Sequence, residues 1–178
     1  MSYERLDQGG LQWPCPSIDH PGTEVLHVGT FPGGRKARFR KIDYMPSSEV
    51  VSEEFPFLLN TGRSLYHFNA ATMTGRSRNF ALERDDLVYI NPHDAPRLQI
   101  CQGARVFVRS RHGGFQGTAE IKDAMRPGEA FTTFHHVKAM VNRVTGEGRD
   151  AHTDTPEFKV TAVSIEPENA LNEYREDE

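Results

Sequence analysis

Apolar and polar positions along this chain fall into short blocks, not long helical stripes. Phe55-Pro56-Phe57-Leu58-Leu59-Asn60-Thr61, closed by Gly62, is a brief apolar run bounded by turn residues, which predicts a buried strand. Leu87-Val88-Tyr89-Ile90 predicts a second. From Ala104 to Arg111 the pattern alternates, with Val106 and Val108 on one face and Arg105, Phe107 and Arg109 on the other. His112-Gly113-Gly114 turns the chain and Phe115–Ile121 returns, so residues 104–122 read as a β-hairpin. Ala130–Phe134 and Phe158–Ile165 bring the set to about six short strands.

Helical signals are weaker. Asn91-Pro92 reads as an N-cap followed by proline at the first helical position, predicting a short helix through Ala95 and Leu98. Residues 137–145 can form another. The polar stretch 63–84 has at best a weak helical pattern. Met1 to about Ser52 is punctuated by Trp13-Pro14-Cys15-Pro16, His20-Pro21-Gly22 and Phe31-Pro32-Gly33-Gly34, and reads as irregular. The expected layout is an irregular lead-in over 1–52, a folded domain over 53–166 and an acidic, mobile tail over 167–178. Few helices and many strands imply a mainly-β barrel or sandwich, and the barrel is favoured because its mouth would gather the polar segments between strands.

At 178 residues the chain suits one ordinary domain with a short extension. With 37% hydrophobic and 26% charged residues, it fits neither a disordered nor a membrane-embedded class. No run reaches the length of a spanning helix, and Met1–Arg5 lacks the apolar core of a signal peptide. Cys15 and Cys101 are the only cysteines, too few for an iron–sulfur cluster or an all-cysteine zinc site built by this chain alone. Two reduced thiols and a cytoplasmic location are the expectation. The net charge of −4 is uneven. Six acids stand against Arg175 between Glu166 and Glu178, whereas Arg97–Arg149 holds nine Lys/Arg and four Asp/Glu. That arginine excess suits an anionic ligand but is too mild for nucleic acid.

Four segments could carry chemistry. Thr61-Gly62-Arg63-Ser64-Leu65-Tyr66-His67-Phe68-Asn69 follows a strand end, where amides beside a glycine turn and a guanidinium can hold a phosphate. Thr72-Met73-Thr74-Gly75-Arg76-Ser77-Arg78 offers hydroxyls and two arginines around a glycine. His135-His136 would point to opposite faces of a strand and so do not make a joint metal site; one is expected buried and the other at the surface or a ligand. Asn142 offers a donor and an acceptor that match a purine- or pterin-like edge. No GxSxG is present, neither cysteine has an evident activating partner, and Asp85-Asp86 reads as a turn before a strand.

In order along the chain, Gly10-Leu11-Gln12-Trp13-Pro14-Cys15-Pro16, Thr61-Gly62-Arg63, Phe68-Asn69-Ala70, Thr72-Met73-Thr74-Gly75-Arg76, Ile90-Asn91-Pro92-His93-Asp94-Ala95, Arg126-Pro127-Gly128, Thr133-Phe134-His135, Asn142-Arg143-Val144-Thr145 and Thr155-Pro156-Glu157-Phe158-Lys159-Val160 resemble the last domain of molybdenum- or tungsten-dependent formate dehydrogenases. Those enzymes use a bis-(molybdopterin guanine dinucleotide) cofactor. The resemblance implies a double-psi β-barrel that closes over the pterin and pyrophosphate. It implies dinucleotide contacts from Thr61, Gly62, Arg63 and His67, with Thr72 and Thr74 just beyond, and later motifs around the pterins at His135, Asn142 and Lys159. Catalytic residues and cluster-binding cysteines would belong to other domains of the same large subunit, with electron-transfer subunits as further partners, and neither nucleic acid nor membrane. The isolated chain would then be inactive. Three positions depart from the pattern: Ala71 stands where glycine is usual, His136 where an acid is usual, and Phe158 where tyrosine is usual. The alternatives are a free-standing β-barrel binding module and the matching domain of a relative such as a nitrate reductase.

Overall fold

The computed structural model describes residues 1–31, 33–34, 36, 39–83 and 85–168, in two compact units, Met1–Met45 and Pro46–Glu178. The acidic segment 169–178 lies outside the described residues, although Pro167 ends a strand and Glu168 lies 3.4 Å from Arg105.

The first unit has one short helix, α1 (Tyr3–Asp7), capped by Ser2, whose hydroxyl accepts from the Arg5 amide. Its turns are tied by polar contacts: the Arg5 guanidinium donates to the carbonyls of Ile18 and His20, and the Thr23 amide donates to the Gln12 carbonyl.

The second unit is a closed six-stranded barrel. Its strands are β1 (Phe57–Gly62), β2 (Leu87–Ile90), β3 (Arg105–Arg109), β4 (Gly114–Ile121), β5 (Glu129–Thr133) and β6 (Thr161–Pro167), in the spatial order β1-β5-β2-β4-β3-β6. Two pairs are parallel, β1 with β5 and β2 with β4, and the other four are antiparallel. The mainly-β barrel expected from the strand count is therefore present. The β3–β4 hairpin has the alternation read from sequence: Val106 and Val108 are fully buried while Arg105 is exposed. Phe57, Leu59, Val88, Ile90, Phe115, Val163 and Ile165 join them in one core, each contributing about 1.5–3 kcal/mol by leaving water.

Two helical expectations give way to tertiary bonding. Residues 91–99 form hydrogen-bonded turns, not a helix. Asn91 does cap locally, accepting from the His93 amide, but its side-chain amide also donates to the Met125 carbonyl. Buried Asp94 accepts from the Gly128 amide at 2.7 Å and from Arg97 at 2.9 Å, and Gln99 ends the turns at φ +57°. In 137–145, Met140 takes φ +53°, which breaks a helix and leaves only a 3₁₀ turn over Val141–Val144. The last strand also starts at Thr161, later than the apolar run suggested. Short 3₁₀ turns over Thr74–Arg76 and Arg78–Ala81 are the only helical geometry of the 63–83 stretch.

Residues 46–52 belong to the barrel unit, because Glu49 finds its partners there. Its carboxylate accepts from Arg111 (3.4 Å), His112 (3.0 Å) and the Ala162 amide (2.9 Å). The β3–β4 turn beneath is itself fixed. The Ser110 hydroxyl donates to the Val144 carbonyl at 2.7 Å and accepts from the His112 amide. A methyl on Gly113 would sit 2.8 Å from the Arg143 carbonyl oxygen.

Burial alone would raise the Glu49 carboxyl, but the bond from His112, the Ala162 amide and the charges of His112 and Arg111 outweigh it and hold it below its ordinary value. A lowered folded-state value stabilises above the unfolded value and is lost as the pH falls through the folded one. Glu49→Gln is therefore expected to be less stable than the parent at neutral pH. The two denaturation midpoints should converge as the pH falls from neutrality through and below the ordinary glutamate range. A gap that stays constant across that range would remove Glu49 from the account.

Candidate dinucleotide cleft

The loop after β1 is organised by His67. Its Nε2–H donates to the Glu83 carbonyl at 2.7 Å, so the neutral ring must accept at Nδ1, 3.0 Å from the Thr74 hydroxyl. Thr74 in turn accepts from the Phe68 amide at 3.2 Å. His67 is buried and stacks on His135 with centroids 4.4 Å apart and planes 18° off parallel. These bonds fold residues 67–76 back over the barrel end. Two positions there, Asn69 and Ala71, take positive φ of 51° and 56°. Ala71 so occupies the region that favours glycine, at a cost of about 1–2 kcal/mol for its methyl. That is a physical reason to expect glycine at this place, as the resemblance implies.

Across from this loop, residues 134–143 form the opposing wall. Between the two lies a cavity of about 450 Å³, whose lining includes Ala70, Thr72, His135, Val137, Met140 and Asn142. A second, of about 410 Å³, shares Ala70, Thr72, His135, His136 and Val137 and adds Gly75, Arg76 and Lys138. Cationic side chains Arg76, Lys138 and Arg143 line these two cavities, and among the described residues no carboxylate does. That charge suits a pyrophosphate, while Thr72 and Asn142 supply hydroxyl and amide groups for a heterocycle. The His135 ring is 3% exposed; its Nδ1 lies 2.9 Å from the Asp86 carboxylate in a bent approach, and its Nε2 has no hydrogen-bond partner among the described residues. A buried imidazole with an unpartnered Nε2 in the wall, with this donor set, fits a nucleotide- or pterin-bearing group. Among the described residues no cluster of three or more His, Cys, Asp or Glu could hold a metal ion on its own.

Of the residues singled out by sequence, Thr72, His135 and Asn142 meet at the cleft, with His67 and Thr74 directly behind its wall. Thr61, Gly62 and Lys159 lie elsewhere. Thr61 donates its hydroxyl to the Phe158 carbonyl at 2.7 Å, and its own carbonyl accepts from the Lys159 ammonium at 2.5 Å, a clasp from the end of β1 to residues 158–159. Gly62 leaves room for Phe131, whose ring would be 2.5 Å from a methyl there. Arg63 is exposed, 5.7 Å over the Phe68 ring. Lys138 was invisible as a site residue because it lies in a segment that read as helix. The Asp85-Asp86 pair has the pattern of a turn before a strand, yet Asp86 is 1% exposed and hydrogen-bonded to Thr133, His135 and His136. Nothing local signals this, since its partners lie more than 45 residues away.

The unit is thus a closed mixed barrel with a cationic, hydrogen-bonding cleft at one end. The chain belongs to the family described as the Molydopterin dinucleotide binding domain, whose model matches residues 57–162. It is 36% identical over 93% of its length to F420-dependent formate dehydrogenase 2 subunit alpha of Methanococcus maripaludis, covering 25% of that protein. It is 33% identical over 99% of its length to formate dehydrogenase H of Escherichia coli, and 32% identical over 93% to the periplasmic nitrate reductase of Desulfovibrio desulfuricans. The chain thus spans about a quarter of the length of these relatives, covering 26% and 24% of the last two. Acetylene hydratase from Pelobacter acetylenicus shares the fold, with a TM-score of 0.57 at 14% identity over 65% of this chain and 19% of that one.

Two substitutions separate packing from ligand contact. Gly62→Ala should cost about 1–3 kcal/mol by displacing the Phe131 ring. Thr74→Val should cost about 1–3 kcal/mol by stranding the Nδ1 of buried His67. Denaturant titration of the 178-residue chain measures both, and no change in either would contradict these contacts.

Proposed function

We propose that this domain holds a bis-(molybdopterin guanine dinucleotide) cofactor, with molybdenum or tungsten, in the large subunit of a cytoplasmic formate dehydrogenase. The observation that carries the reading is the cationic cleft of Thr72, His135 and Asn142 flanked by Arg76, Lys138 and Arg143, in a chain most of which aligns with formate dehydrogenase alpha subunits. In this reading Asn142 and Thr72 hydrogen-bond the heterocycle and the three cations face the phosphates. Arg63, exposed at the end of β1, reaches the pyrophosphate from the other side of the loop. When bound, the metal pterin supplies the two-electron redox chemistry, and the domain supplies binding, orientation and charge. Formate oxidation then needs the catalytic domains of the same subunit and an electron-accepting partner. A second reading, the same role in a nitrate reductase, is favoured by the similarity to such enzymes from Desulfovibrio desulfuricans and Bacillus subtilis.

The test uses the full-length protein carrying this domain. Purified after expression with molybdate or tungstate, it should contain guanine dinucleotide and pterin and reduce a dye with formate but not oxidise one with nitrate. Arg63→Ala and Asn142→Ala should each lower pterin content at unchanged thermal stability. Loss of a charged hydrogen bond at Arg63 corresponds to roughly 1.5–3 kcal/mol, the larger effect of the two. Absence of pterin from the parent protein would reject the proposal, and nitrate turnover without formate turnover would select the second reading.

A further inference from the structure

The cleft has two walls from distant parts of the chain, and one carboxylate stands behind both. Asp86 precedes β2, and its side chain is wholly buried. Its Oδ1 accepts from the Thr133 hydroxyl at 2.8 Å and from the His135 amide at 2.9 Å, and its Oδ2 accepts from the His136 amide at 3.1 Å. A buried carboxylate is tolerable only with such donors, and here all three belong to the end of β5 and the turn that follows. The same Oδ1 is 2.9 Å from the His135 Nδ1, bent away from a regular hydrogen bond. A ring nitrogen presenting a lone pair to a carboxylate at that distance would be repelled, so Nδ1 carries the proton. In the neutral ring Nε2 is then an acceptor with no partner among the described residues. The His135 ring stacks on His67, which Thr74 and the Glu83 carbonyl fix in turn. Asp86, His135, His67 and Thr74 thereby form one line of contacts joining the 134–143 wall to the 70–76 wall.

Resting on the dinucleotide reading above, we propose that Asp86 is a positioning residue for that cofactor. Its carboxylate holds the turn at His135 and His136, and the Nδ1–H tautomer of His135, in the arrangement that the cleft offers to its ligand. Asp86 itself touches no ligand. Asp86→Asn is the sharpest probe. One oxygen can still serve Thr133 and the His135 amide, but the new NH₂ would face the His136 N–H, donor against donor.

The experiment has two parts. In the 178-residue chain, amide exchange at His136 should accelerate by about tenfold or more in Asp86→Asn, and ¹⁵N shifts should show His135 leaving the Nδ1–H form. In the full-length protein, the pterin released and quantified by fluorescence should fall several-fold. Asp94→Asn is the control, since Asp94 is an equally buried carboxylate bonded to Gly128 and Arg97, away from the cleft. It should lose thermal stability yet keep its pterin. Thr133→Val, a milder variant that removes one donor, should lower pterin content less, in the same direction. Unchanged pterin in both Asp86→Asn and Thr133→Val, or equal loss in Asp94→Asn, would overturn the positioning role alone. A parent protein with no pterin would overturn the dinucleotide reading and this inference with it.

Discussion

The barrel holds together because its last strand lies between its first and its third. β6 pairs antiparallel with β1 through Phe57, Leu58 and Leu59, and with β3 through Val106 to Arg109. Without it β1 and β3 would be open edges, each with unpaired backbone groups. The demands on this strand are severe, and Thr161–Ile165 is buried at five consecutive positions. Within it the hydroxyls of Thr161 and Ser164 have no hydrogen-bond partner among the described residues. Closure outweighs those two defects because it satisfies two ladders at once and seals the apolar core.

Closure also decides where polar residues can go. β5 lies between β1 and β2 in the barrel, and β1 lies between β5 and β6, so the links β1 to β2 and β5 to β6 must cross a strand and cannot be tight hairpin turns. Those connections carry residues 63–86 and 134–160, and from them the cleft is built. Their backbone is held by side chains instead of ladders: His67 and Thr74 in one, Asp86 reaching into the other. The cleft is thus a by-product of topology that buried polar contacts make rigid.

What sequence reveals follows from the range of the interaction responsible. The β3–β4 hairpin was legible because alternation at Val106 and Val108 and the turn at Gly113-Gly114 are local. The helices expected near Asn91 and Val141 were not formed because Asn91 and Asp94 bond to Met125 and Gly128, and Met140 adopts a left-handed backbone. In the cleft, Thr72, His135 and Asn142 could be picked out because their residue types advertise hydrogen bonding. His67 and Thr74 carry the same advertisement but spend it on each other. Asp86 gave no signal, since its worth lies in donors contributed by a strand end far along the chain.

The turn between β3 and β4 shows how far one small feature reaches. Hairpin loops are ordinarily where homologous proteins change length. Here Ser110 is bonded to Val144, a side chain on Gly113 would meet the Arg143 carbonyl, and Arg111 and His112 grip Glu49 from the segment that enters the barrel. An inserted residue would have to break contacts with two other segments at once. This hairpin is consequently closed to insertion, and a tag or fluorescent label placed there would disturb both the entering chain and, through residues 143–144, the wall that carries Asn142.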